Sequence, residues 1–180
     1  MNQTNNKATA AVPVAALKKA ADNIRILSVS MVEKAKSGHP GGAMGGADFV
    51  SVLYGCFLRY NPYNMTYPWR DRMYLDPGHM SPMLYGVLSL AGFYSMEELQ
   101  NFRQWGTVTP GHPEVDFARG VENSSGPWVR VTQWLWAQQS ANALWRLAVA
   151  KRTKSTPTSR TVVSKRRFRP VWVVSQATWD

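Results

Sequence analysis

Apolar positions near the start of the chain recur at three- and four-residue steps. Leu17, Ala21, Ile24, Leu27, Met31 and Val32 share one helical face, which predicts a helix from about Val14 to Lys36 that Gly38 can stop. The glycine-rich stretch SGHPGGAMGG (37–46) reads as a loop, and the apolar run Phe49, Val50, Leu53, Tyr54, Phe57 and Leu58 reads as a second helix. Tyr60-Asn61-Pro62 is a turn signal. Asp71–Leu75 predicts a short strand, Asp76–Met80 a loop, and Ser81 to about Ala91 a further helix. Ser95 with Glu98 three positions later forms the capping-box pattern of a short helix running to about Gln104. Several helices around a short strand are expected to open one α/β domain.

Composition narrows the class. The 180 residues suit a single domain with a real core, and 44% hydrophobic content is too high for a disordered chain. No apolar run approaches the roughly 18 residues a membrane span requires. The first 12 residues are rich in Asn, Thr and Ala, and VPVAALKK lacks the cationic start and length of a secretory signal. The one cysteine, Cys56, cannot form an internal disulfide, so a reducing cytoplasm is expected.

A formal charge of +10 raises nucleic acid as a partner. Its distribution lowers that expectation, because residues 1–127 contribute +1 and residues 128–180 contribute +9. All 13 glycines precede Pro127, whereas six of the eight tryptophans follow it. Two different kinds of sequence meet at that proline.

Candidate chemistry lies in three loops. Each of the three histidines follows a glycine: Gly38-His39-Pro40, Gly78-His79-Met80 and Gly111-His112-Pro113. Glycine permits tight turns, and imidazole can donate, accept or carry charge near neutral pH, so such loops suit phosphates and sugar hydroxyls. A lone loop histidine is more often a surface or packing residue. Zinc is the competing reading, but separations of 40 and 33 residues fit no short ligand motif.

The strings KSGHPGGAMGGADF (36–49), LYGCFLRYNP (53–62), DPGHMSPMLYGVLSLAGF (76–93), PGHPE (110–114) and GVENSSGP (120–127) together resemble the amino-terminal part of transketolase, from about Ile24 to Pro127. Deoxyxylulose-phosphate synthase resembles the chain less, lacking this SGHPGG and PGHPE combination. The resemblance implies an incomplete thiamine diphosphate-binding domain, with a parallel sheet flanked by helices. It further implies transfer of a two-carbon ketol unit between sugar phosphates in the pentose phosphate pathway, by a homodimer using magnesium. By motif match, His39 would contact the sugar and assist proton movement, and His79 would sit against the cofactor diphosphate. His112 would lie between the diphosphate and the donor-sugar hydroxyls, and the backbone at Gly126 and Pro127 would approach the cofactor. Arg25, Lys36, Tyr60 and Arg103 are expected to be solvated charges or packing residues, and Asp48 a helix-start charge.

The resemblance to the quoted family strings breaks at Trp128. WVRVTQWLWAQQSANALWR has no glycine and cannot make the close backbone contacts of the family's glycine-rich continuation. Re-dividing the codons one base earlier permits L-G-Q-G-H-T-M for residues 128–134, and a second family-like string containing S-D-G-G near the end. Residues 128–180 are therefore expected to be an out-of-frame, disordered tail behind a flexible segment 1–13 and a partial domain 14–127. The chain as written places Ser159, Arg160, Thr161 and Val162 where S-D-G-G would supply the magnesium-binding aspartate. The family's activating glutamate belongs to a later domain. The chain alone is accordingly expected to lack metal ligands and activity, its dimerisation is doubtful, and its first 127 residues are expected to leave apolar faces uncovered. The alternative is a basic tail that binds nucleic acid or another anionic surface, for which no repeat or recognised motif exists.

Overall fold

A computed structural model describes residues 12–67, 70–125 and, for the backbone, 171–174. Helix α1 spans Val14–Ala35 and buries Ala21, Ile24, Ser28 and Met31, the face set by the apolar repeat. It ends at Lys36, which adopts a left-handed conformation with φ of 50°, and Ser37 N–H donates to Val32 O over the last turn. Gly38 follows at φ +135°, a conformation open to glycine and strained for other residues, and it turns the chain sharply into His39.

The glycine-rich stretch differs from the expected loop. Pro40–Gly45 forms a short helix, α2, with proline in the first turn where a missing N–H costs no hydrogen bond. Its low helix propensity is offset by packing against α1 and α4, with Ala43 fully buried. The next helix divides in two: α3 covers Ala47–Val52, and a π-helical turn continues over Leu53–Phe57. Leu58 N–H donates to Leu53 O at 2.9 Å, which marks the wider turn.

Strand β1 is Met73–Asp76, two residues later than the sequence predicts at its start. A single 3-10 turn, Gly78–Met80, leads directly into α4, Ser81–Leu90. The capping box at Ser95 is fully formed, but its helix α5 stops at Gln100, short of Gln104. Strand β2, Val171–Val174, pairs in parallel with β1 in the register Met73 to Val171 through Asp76 to Val174. This two-stranded parallel pair with helices beside it agrees with an α/β class, although the sheet is small.

Helix α4 is buried from Ser81 through Leu88 and makes its broadest contact with α1. Ile24, Val50, Met73, Leu75, Met83, Leu88, Leu99 and Phe102 belong to one apolar cluster. Met73, Tyr74 and Leu75 are buried in succession, as expected of a parallel strand covered on both faces. The amino-terminal part thus has a core of its own, and uncovered apolar surface of the kind expected from the sequence stands beside it. Apolar exposure persists locally, at Phe57 and Trp105 among others. Among the described residues no helix is long and apolar enough to cross a membrane.

Candidate functional site

The three glycine-histidine loops converge. His39 immediately precedes α2, His79 lies in the 3-10 turn between β1 and α4, and His112 lies in the loop before Pro113. The rings of His39 and His79 are 5.2 Å apart and inclined at 62°, an edge-to-face arrangement. His112 lies close enough to act electrostatically on His79. A Cβ built on Gly78 would lie 2.8 Å from the His112 ring and 2.1 Å from Ser125 Oγ, so only glycine lets these loops meet.

The His112 and His39 loops are held by polar contacts from the surrounding scaffold. Ser81 Oγ donates to Gly111 O at 2.6 Å, and Tyr85 OH donates to Pro110 O at 2.9 Å, so α4 holds the two residues that lead into His112. Arg103 Nη1 donates to Ser37 Oγ at 3.0 Å, while its guanidinium also lies against Gly111. Arg103 therefore links the His39 and His112 loops, a role its sequence context did not reveal. Arg25 pairs with Asp22 and Asp48, and Lys36 with Glu33, both in keeping with structural charges. Tyr60 stacks edge-on against Tyr54 at 5.5 Å.

Electrostatics distinguish His79 from an ordinary surface histidine. Partial burial pushes its pKa below the usual imidazole range, and the nearby His39 and His112 push it further down, with Asp76 opposing. Burial raises the Asp76 carboxyl, with His79 opposing. A neutral imidazole here keeps one N–H to donate, and it can take up a proton when an anion arrives.

The sequence missed the segment that joins these loops. Glu122 forms a buried ion pair with Arg70, both side chains being 2% exposed. Asn123 accepts from Leu75 N–H at 3.1 Å through Oδ1 and donates to Leu75 O at 3.2 Å through Nδ2. Ser124 Oγ accepts from Val115 N–H at 2.9 Å, and Ser125 N–H donates to Pro113 O at 2.9 Å. The only available signal was their position in the quoted GVENSSGP string, which says nothing about partners about 50 residues away.

Gly126 and Pro127 lie outside the described residues, as do residues 159–162 and the tail apart from β2. Among the described residues, no group of three or more His, Cys, Asp or Glu side chains is placed to hold a metal ion.

The family described as "Transketolase, thiamine diphosphate binding domain" matches residues 16–165. That match begins before Ile24 and continues past Pro127, so it is broader than the quoted strings. Transketolase 1 of Escherichia coli (strain K12) is 45% identical over 144 residues, covering 79% of this chain and 20% of the relative. The transketolase of Halalkalibacterium halodurans is 51% identical over 109 residues, covering 60% of this chain and 16% of the relative. Among solved structures, the transketolase from Campylobacter jejuni aligns with a TM-score of 0.59 and 47% identity, over 64% of this chain and 18% of that one. The transketolase from Leishmania mexicana aligns with a TM-score of 0.59 and 40% identity, over 62% of this chain and 17% of that one. The chain thus spans about a fifth or less of the length of these relatives. The convergence of the three histidine loops and these similarities lead to one assignment: the chain belongs to the transketolase family, through its thiamine diphosphate-binding domain.

Proposed function

We propose that this chain carries the cofactor-facing histidine cluster of a ketol-transfer enzyme, whose substrates are sugar phosphates and whose reaction moves a two-carbon unit. The observation that carries the reading is the meeting of His39, His79 and His112 around the close contact at Gly78. The residues suit thiamine diphosphate. His79 and His112 offer ring N–H donors for a diphosphate, and Ser125 Oγ, buried without a hydrogen-bond partner among the described residues, offers a further hydroxyl. The backbone at Gly126 and Pro127 is assigned to the same cofactor from the motif match.

When bound, thiamine diphosphate supplies the carbanion chemistry that the side chains lack. His39 and His112 are the proposed catalytic and sugar-binding groups, orienting donor hydroxyls and moving protons at their ring nitrogens. The depressed pKa of His79 leaves it neutral near pH 7, as a donor to the diphosphate rather than a standing cation. Magnesium is not assigned to any described residue, and no step is derived through it.

The chain by itself is proposed to be inactive, with residues 128–180 an out-of-frame reading and the site of action cytoplasmic. Purified chain, thiamine diphosphate, magnesium and a ketose donor should give no turnover above a His39→Ala control. Turnover well above that control overturns the proposal of inactivity. The coding DNA around codon 127 tests the displaced frame, which requires a one-base insertion or deletion there. An intact frame without the family-like continuation rejects it. The basic tail as a binder of nucleic acid or an anionic surface rests on its charge alone, and failure to bind RNA or DNA at any salt concentration removes the nucleic-acid form of that reading.

A further inference from the structure

Four consecutive residues, Glu122–Ser125, reach four parts of the scaffold around the histidines. Glu122 pairs with Arg70 ahead of β1, Asn123 bonds Leu75 within it, Ser124 holds Val115, and Ser125 joins Pro113 and abuts Gly78. Asn123 is the member that acts on the strand leading to His79. Its amide satisfies both backbone groups of Leu75, and so takes the place that a neighbouring strand would occupy on that edge. Asn123 is itself 5% exposed, so water cannot readily replace it.

From Leu75 the chain has little freedom before it reaches His79. Asp76 follows, then Met80 N–H donates to Pro77 O at 3.1 Å to close the turn, and Gly78 is wedged against Ser125 and His112. Displacement of Leu75 along the sheet edge must therefore carry the Asp76–His79 turn with it. We infer that Asn123 is the positioning residue of His79, setting how far this turn reaches toward His39 and His112. The inference rests on the reading of His79 as a cofactor-facing group. Its test needs neither cofactor nor turnover, so failure of the enzymatic reading leaves the result interpretable.

Only three histidines are present, one on each loop, so the imidazole protons of the whole 180-residue chain can be followed individually by NMR during a pH titration. The groups acting on His79 are His39, His112 and Asp76. In Asn123→Ala, the His79 titration should move upward, toward the ordinary imidazole range. Ser89→Ala is the control, because it removes a comparable side-chain bond to Tyr94 O, 3.0 Å long, away from the cluster. That variant should leave the His79 titration in place. An unchanged His79 titration in folded Asn123→Ala, or the same shift in Ser89→Ala, overturns the inference. Should Asn123→Ala lose its near-UV circular dichroism, Asn123→Ser decides the matter, since its hydroxyl can still accept from Leu75 N–H. An upward shift of His79 relative to the parent in that variant supports the positioning role, and an unchanged titration rejects it.

Discussion

The α1–α4 contact and the Glu122–Ser125 segment are both buried, the exposed Ser124 apart, but they stabilise the protein by different means. Helix against helix, the contact is apolar, and residues such as Ile24 and Leu88 need only suitable volume and shape. The Glu122–Ser125 segment is polar, and each member answers a particular donor or acceptor elsewhere in the chain. Apolar packing fixes how tightly elements approach. Directional bonds fix which atoms face each other, which is what a cluster of three histidines requires.

Breaking the polar segment should have the largest effect. Glu122→Ala leaves the Arg70 guanidinium buried without its carboxylate, a loss of about 3–5 kcal/mol that denaturant unfolding would register. It should also disturb the His79 titration, because Arg70 lies just ahead of the strand that carries Leu75 and leads to His79. Leu88→Ala should cost about 2–5 kcal/mol through lost burial and a residual cavity. Its His79 titration should stay close to that of the parent, and a large shift would remove the division drawn between the two regions.

Smaller effects sharpen the same contrast. Ser95→Ala removes an N-cap that accepts from Glu98 N–H at 3.1 Å, and should lower stability by about 1 kcal/mol with no effect at the histidines. His79 adds a pH dependence. Its pKa is lowered on folding, so the native state favours the neutral ring; the contribution is complete above the unfolded value near 6.5 and is lost as pH falls through the folded value. Thermal melts of the parent should therefore decline over that acidic window more than those of His79→Asn. Glu33→Gln, at an exposed ion pair, should leave the melting temperature unchanged within error.

The elements with local signals were the legible ones. The three- and four-residue repeat gave α1 to within a residue at its carboxyl end, and Ser95 with Glu98 gave the start of α5. Helix α2 was hidden because its glycines disfavour a helix when considered alone, and only packing of Ala43 against the neighbouring helices reverses that preference. Arg103 looked like a surface charge because Ser37 is 66 residues away. Asn123 was similarly silent, since nothing near position 123 indicates a bond to Leu75.

The helical faces, the turns, the histidine-bearing loops and, through strings of unusual specificity, the family were all readable from local stretches of the chain. Those features depend on residues within a few positions of one another, where period and turn chemistry operate. The tertiary structure alone decided that His39, His79 and His112 share one place, that Gly78 is the point of closest approach, and that β1 pairs with Val171–Val174. Such outcomes depend on burial and hydrogen-bond satisfaction between distant segments, which a polar residue acquires only when the fold brings its partner to it.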